Sequence, residues 1–542
     1  MRSSILLVIL STFFFLSSCS LIMKPDFRKL YSKENKILHQ KKSPEALNTP
    51  FVKVHMNNGD VYVLYSWEIL GEEGETLSGN GVLYNYARTR LGESKDYQIN
   101  ADDIAIIETN DFSAFKKKNT GRIAALVIPL SIGGAAILTP VLGLAALAIF
   151  GSCPTYYTGD NTTAAPHTID AETFSNAISP SMERRDLDAL NFSTPKGQKT
   201  FKLTLRNEAL ETHIIDYVKI KAIPKKSSEK VFHEFDIASK TDNYYVCNTI
   251  VPAQKVLIDN QDQSEVLRAM DNKEYFASAN PKDLGAKQFI DLEFDASQLE
   301  QAGMVLRFRQ SLLTTFLFYE SMGYMGRYIA DIFAKIEKNT NTRAALDAPM
   351  ELLGKIDILV WDENKKDWEL NTQFYELGPL AKNLQIRPLE LSNIDKDKPL
   401  KIRLEFSRAL WRLDYVALAN IKEQVTPKEL ELTEVTIDNN VDTEVQELLK
   451  SDDGKKLNSW PGDSFVLEYK LPQKEAEYEL FLESKGYYIE WMREEWLEKQ
   501  NRWKLMNMLK MNKTTWRKLA KEYKAKEAEL ETLFWNNMTE TP

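Results

Sequence analysis

Histidine and cysteine are scarce in this chain, with five and three among 542 residues. So few histidines leave little from which to build a histidine-rich metal centre. Three cysteines do not make a disulfide-dense scaffold. The HExxH spacing of zinc proteases, a Walker-type glycine loop, a dinucleotide glycine fingerprint and a GxSxG elbow are all missing from the sequence. No common catalytic motif therefore names a reaction, and no catalytic, cofactor-binding or metal-binding residue is assigned. Positive charge is not in excess, since 69 Lys and Arg stand against 78 Asp and Glu, a net charge of −9. That balance gives no general reason to expect nucleic acid as a partner. What is present is an ordinary globular share of apolar and charged residues. The length suits about three domains.

Met1-Arg2 is followed by an apolar run from Ile5 and then by Leu16-Ser17-Ser18-Cys19. A positive start, a short apolar stretch and small residues before a cut describe a secretion signal. The run is too short for a comfortable membrane span. A leucine three places before a cysteine, with small residues between, resembles the lipobox of bacterial lipoproteins. The resemblance covers residues 1–19 alone. It implies cleavage before Cys19 and a fatty-acylated Cys19 as the first mature residue. In that family an aspartate after the cysteine marks retention at the inner membrane. Ser20 stands there in this chain, which implies the outer membrane, and Leu21 to Lys24 lack acidic residues, which implies the periplasmic face. The alternatives are an ordinary signal peptide in which Cys19 is incidental, or an uncleaved helix.

With Cys19 modified, Cys153 and Cys247 remain. An even pair in an oxidising compartment can form a disulfide, and two buried free thiols are the other option. Sequence does not decide between them, because it does not give the distance between the two Cα atoms.

Residues 20–50 are polar and lysine-rich with Pro25, Pro44 and Pro50, which reads as a tether. Residues 51–112 read as a small β domain. Val52, Val54 and Met56 alternate, Asn58-Gly59 offers a tight turn, and Val61 to Leu64 resume. Several short strands here predict a small barrel. Within residues 113–152, the stretch 123–150 carries no charge and is long enough to cross a bilayer. Pro129, Gly133, Gly134, Pro140 and Gly143 suit kinks or close packing, which membrane helices tolerate. Lys116, Lys117, Lys118 and Arg122 precede it, against the positive-inside tendency if the signal is cleaved. A membrane segment, a hairpin in one leaflet and a buried apolar helix pair all remain open.

Residues 153–482 read as a β-sandwich body. Phe201, Leu203 and Leu205 alternate, as do Ile356, Ile358 and Val360, then Ile402, Leu404 and Phe406, and Phe465, Leu467 and Tyr469. Gly378-Pro379 and Pro461-Gly462-Asp463 supply turns. A helical insertion is expected over 310–338, where Gly323 and Gly326 would allow close packing. Residues 483–542 read as a long helical tail, broken near Asn512-Lys513-Thr514. Tyr488, Met492, Trp496, Trp503 and Met506 form its apolar stripe. From Lys499 to Lys526 there are ten Lys or Arg and one acid, Glu522. This basic tail suits an anionic lipid surface, an acidic face of its own or a partner domain, or plain solvation.

Three groups of residues are of types that can carry chemistry. Asn207 to His213 gathers Glu208, Glu211 and His213, types able to hold a metal or move a proton. Their spacing fits no zinc signature, and a strand end with backbone contacts is the plainer expectation. Ser152-Cys153-Pro154 holds a thiol with no positive neighbour in sequence to activate it, so a structural cysteine is expected. Trp361, Trp368 and Trp411 lie in the β region, where core is the default and sugar stacking the alternative. The run Trp411-Arg412-Leu413-Asp414-Tyr415-Val416 resembles the closing strand of galactose-binding-like sandwiches, which implies sandwich architecture and no binding residue. The signal, the apolar run ending in Gly151-Ser152-Cys153-Pro154-Thr155 and the β-rich body together resemble a set of uncharacterised envelope lipoproteins of Gram-negative bacteria. That resemblance brings no activity.

The expected fold is α+β, mostly β. The expected role is a non-enzymatic, lipid-anchored envelope protein, a scaffold or accessory subunit. Its partners would be the membrane, through Cys19 and residues 123–150, and other envelope proteins. A glycan-binding protein and an envelope hydrolase are the alternatives.

Overall fold

The computed structural model describes residues 52–56, 60–71, 74–84, 91–109, 127–129, 153–158, 169–178, 182–194, 196–207, 211–236, 241–326, 353–376, 378–391, 398–459, 463–472, 476–490 and 499–538. Cys19, the tether and residues 130–152 lie outside them, as do Glu208 and residues 327–352. The described chain is mostly β, arranged in five sheets.

The small N-terminal unit is one six-stranded sheet. Val52–Met56 pairs with Val61–Leu70, with His55 opposite Val61. Val52, Val54, Leu64, Leu77, Ile99 and Ile107 gather into one core. The strand Lys95–Asn100 and the strand Val127–Pro129 are its two ends. Among the described residues these ends do not pair, and the expected closure into a small barrel is not seen there. A second correction follows from Val127–Pro129. This strand runs parallel to Ile104–Thr109, with Ile107 opposite Val127. The uncharged run therefore starts as sheet and is not helical throughout.

The body is not one sandwich but two interleaved modules. The first is assembled from residues 155–225 and 428–490. One of its sheets centres on Thr200–Arg206 and Ser464–Lys470, and the other on Glu211–Lys225 and Glu477–Glu490. Leu203, Leu205, Leu467 and Tyr469 of the one meet Ile215, Ile220, Leu480 and Leu482 of the other in a shared core. The long pair Glu211–Lys225 and Glu477–Glu490 runs in register from Glu211↔Glu490 to Lys225↔Glu477, with one bulge near Asp216. Residues 485–490, expected as the start of the tail helix, thus belong to a central strand.

The second module, residues 230–425, is inserted between the two parts of the first. One of its sheets closes on itself. The strands Thr241–Pro252, Lys230–Asp236, Asn383–Pro388, Ala302–Gln310 and Trp411–Val425 follow one another, and Thr241–Pro252 pairs back onto Trp411–Val425. Among the described residues barrel closure is found in this sheet. Strand alternation explains the packing. Val305 joins Val231, Val246, Ile386 and Ala417 in one cluster. Its neighbours Met304, Leu306 and Phe308 point the other way, onto Ile290, Leu292, Ile402 and Leu404 of an open sheet.

The helical insertion is Leu313–Met325. Gly326 ends it at φ +54°, and a Cβ there would lie 2.6 Å from Gln500. The glycine thus allows the tail to approach closely, as its position suggested. Among the described residues the tail is three short helices, Arg502–Leu509, Lys513–Lys524 and Glu527–Met538, and not one long one. The break lies where the sequence placed it, because the Asn512 side chain caps the second helix by accepting from Thr514 and Thr515 N–H. The apolar stripe differs from expectation. Tyr488 is buried in a strand, Trp503 is 82% exposed and Met506 45% exposed. Met492 and Trp496 lie outside the described residues. The buried face instead uses Leu505, Met508, Trp516, Leu519, Ala520 and Tyr523, which join Leu313, Phe316 and Trp411 in the largest core.

Leu519→Ala is expected to destabilise the protein by about 2–5 kcal/mol in denaturant unfolding, the usual cost of a core truncation. Trp503→Ala is expected to stay within about 0.5 kcal/mol. Equal losses would contradict the packing.

Candidate functional site

Where the two modules meet, a set of buried polar side chains converges. Cys153, the first described residue after the uncharged run, sits at φ +88°. A non-glycine residue rarely holds that conformation without support. Here the support is Glu211, whose Oε1 accepts the Cys153 N–H at 2.6 Å. The same oxygen lies 2.9 Å from His213 Nε2. With both donors aimed at one carboxylate oxygen, His213 carries its proton on Nε2. Its Nδ1 is buried without a hydrogen-bond partner among the described residues. Burial lowers the His213 pKa to about 3, so the ring is neutral.

The Cys153 thiol donates to Glu172 Oε2 at 2.9 Å and accepts from Ser175 Oγ at 3.3 Å. Glu172 Oε1 accepts the backbone N–H of Leu380 at 2.6 Å and of Ala381 at 3.3 Å. A Cβ on Gly378 would lie 1.7 Å from that oxygen, so the turn needs glycine to seat the carboxyl. Glu172 N–H donates to Asp188 Oδ2 at 2.9 Å. Asn383 bridges Asp188 Oδ1 at 3.0 Å and Glu376 Oε2 at 2.8 Å, and Gln385 donates to the same Glu376 oxygen at 2.7 Å. Burial pushes the Glu172 carboxyl up to about 8, helped by the charge of Glu376 and opposed by its hydrogen bonds to Cys153, Leu380 and Ala381. Burial also raises Asp188, with the charges of Glu376, Asp186 and Glu172 adding to it. Burial and then Glu172 raise the Cys153 thiol well above its usual range.

Of the two options open for the remaining cysteines the structure has free thiols, and it joins two of the candidate groups. Cys153 and Cys247 are both free and buried, so no bridge links them. They lie in different clusters, Cys153 in the largest core and Cys247 in the cluster lined by the closed sheet. Burial raises the Cys247 thiol to about 12. Cys153, Glu211 and His213, which the sequence offered separately, form one network. Glu172, Asp188, Glu376, Asn383 and Gln385 carried no signal in the sequence. Only Gly378-Pro379 marked the turn on which Glu172 rests. Chemically the network suits holding backbone. Glu211 and His213 are fully buried, and a raised thiol and a neutral imidazole are the opposite of an activated pair. Among the described residues no group of His, Cys, Asp and Glu is placed to hold a metal ion.

Two further polar networks tie elements together. Arg185 pairs with Asp242 and with Glu483, the latter at 2.7 Å, and His233 Nε2 lies 2.8 Å from Asp242. They link the first module to the closed sheet. Arg309, buried in the second module, grips Glu274 at 2.6 and 2.7 Å, and Glu531 of the last helix lies 3.0 Å from Arg412 Nε. The tail is thereby fastened by its own acids to arginines of the body.

Trp411 is fully buried against Phe308 and Tyr375. Trp361 and Trp368 are half-buried on the outer face of the open sheet, 5.4 Å apart with planes at 68°. Arg403 lies 4.3 Å over the Trp368 ring and grips Asp291 at 2.6 and 2.8 Å. The two rings do not share one flat platform for a sugar.

Two outcomes are expected. Glu172 has a folded pKa near 8 against an ordinary 4.5, so the folded state binds more protons in that interval. Its contribution is complete below about pH 4.5 and is lost as pH rises through 8. Glu172→Gln keeps the shape and the acceptor for Leu380 and Ala381, so it should flatten the fall in melting temperature between pH 6 and 9. An unchanged slope would remove Glu172 from the balance. In the native protein Cys153 and Cys247 should resist a thiol reagent at pH 7.5 and react only after unfolding. Fast reaction of either would contradict its burial.

No protein family matches the chain, and no curated protein matches it in sequence.

Proposed function

We propose that the chain is a non-enzymatic, lipid-anchored component of the cell envelope, acting as a scaffold or accessory subunit. A signal sequence ending at Cys19 supplies the anchor. The uncharged run supplies a second membrane contact, in line with the general need for two signals in stable lipid anchoring. One observation carries the reading. The run is tied at both ends, by the pairing of Val127–Pro129 with Ile104–Thr109 and by the Glu211 and Glu172 bonds to Cys153. The described residues on either side of 130–152 thus belong to two different β units. That suits a membrane contact held in place by folded domains on either side. Among the described residues no helix is long and apolar enough to cross a membrane.

The hydrolase reading has weaker support, because the residues that would carry it are buried in backbone contacts. The glycan-binding reading rests on Trp361 and Trp368 alone. Metabolic labelling with palmitate should mark the native protein and leave Cys19→Ala unlabelled. Solubilised from membranes with a tag, the protein should bring down a defined assembly. An unlabelled native protein, or one recovered alone and retained on polysaccharide, would overturn the proposal.

A further inference from the structure

The tail helices sort their charges by side. Residues that face the body are engaged there. Lys499 pairs with Glu320 at 2.9 Å, Lys504 Nζ lies 5.4 Å over the Tyr324 ring, and Lys524 donates to Ser278 Oγ. The outward side differs. On Arg502–Leu509, Trp503 and Met506 stand in solvent, and Lys510 follows on the same face one turn later. On Lys513–Lys524 the buried side is Trp516, Leu519, Ala520 and Tyr523, and Lys513, Arg517 and Lys521 recur every four residues on the exposed side. Between Lys499 and Lys521 there is no acidic residue. Lys510, Lys513, Arg517, Lys518 and Lys521 are exposed, with no ion pair among the described residues. In a chain of net charge −9, this is a local concentration of positive charge beside a solvent-facing indole.

We propose that this outward side rests on an anionic lipid surface. Trp503 and Met506 enter the headgroup boundary, and Lys510, Lys513, Arg517 and Lys521 lie against the lipid phosphates. A tryptophan is suited to that depth, with an apolar ring and one polar N–H. Each lysine or arginine near such a surface adds attraction that fades within a Debye length. An acidic protein face would also satisfy the charges; the lipid boundary is the surface that favours both a cluster of lysine and arginine and a tryptophan that is 82% exposed in the free chain. The inference rests on the membrane location proposed above and names the lipid class and the residues that touch it.

The test uses the full chain in two forms, native and Cys19→Ala. Both carry Trp503→Cys, labelled under native conditions with an environment-sensitive fluorophore, which spares the buried Cys153 and Cys247. Vesicles of phosphatidylglycerol with phosphatidylethanolamine should shift the emission to the blue in both forms, and high salt should reverse the shift in Cys19→Ala. Pure phosphatidylcholine should shift it little. In the Cys19→Ala background, Lys513→Gln with Arg517→Gln should weaken binding on the order of tenfold. If the native protein floats with vesicles while the dye is unmoved, the inference fails and the anchor stands. If the Cys19→Ala form shifts the dye on anionic vesicles, the inference stands without the anchor. An equal shift on phosphatidylcholine, or a shift with polyglutamate and none with vesicles, would overturn it.

Discussion

The fold turns on a few carboxyl groups that water does not reach. Glu172, Asp188, Glu211 and Glu376 are all buried where the two body modules meet. A carboxylate taken from water without a partner is strongly unfavourable, so each must be protonated or saturated with donors. Glu211 is served by Cys153 N–H and His213, and Glu172 by Leu380 N–H, Ala381 N–H and the thiol. These donors come from three separate stretches of chain. The network forms only when Cys153, both sheets of the first module and the 378–381 segment of the second are all in place. A mismatched arrangement would strand a buried acid, and so the polar contacts select one docking geometry in a way that apolar packing alone does not.

The same logic recurs at the other contacts. Asp242 and Glu483 share Arg185 between the first module and the closed sheet. Glu274 and Glu531 share Arg309 and Arg412 between the second module and the last helix. Removing one partner of such a group leaves a buried charge behind, which costs more than the pair contributes. The apolar clusters supply the bulk of the driving force, and the ionic networks fix which surfaces meet. The tail illustrates the division of labour. Tyr523, Trp516 and Leu519 bury it, Glu531 sets its position, and Lys510, Lys513, Lys518 and Lys521 are left for the outside.

Strand identity was legible because alternation is local. Ile402, Leu404 and Phe406 are buried, as their spacing required, and Arg403 and Glu405 face outward. Turns were legible for the same reason, including Asn512 as a helix start. The connection between strands was not. Nothing in residues 153–482 says that 230–425 are inserted, because pairing Lys221 with Glu429 is a choice between distant segments. The closed sheet was hidden likewise, since closure depends on Thr241–Pro252 finding Trp411–Val425. The tail misled at both ends. Tyr488 has helical spacing from Met492 and Trp496 but lies in a strand whose partner is residues 211–225. The junction was half visible. Cys153, Glu211 and His213 stood out by type, while their meeting depends on a fold that brings residues 58 apart within 2.6 Å.

A protonated carboxyl at neutral pH is the most direct consequence of a dry junction. Infrared spectroscopy of the folded protein in heavy water near pH 7 reads it without reference to stability. The account predicts a carbonyl band of un-ionised carboxylic acid in the native protein that weakens in Glu172→Gln and fades as pH rises past 8. A spectrum with only ionised carboxylate bands at pH 7, identical in the native protein and the variant, would contradict it.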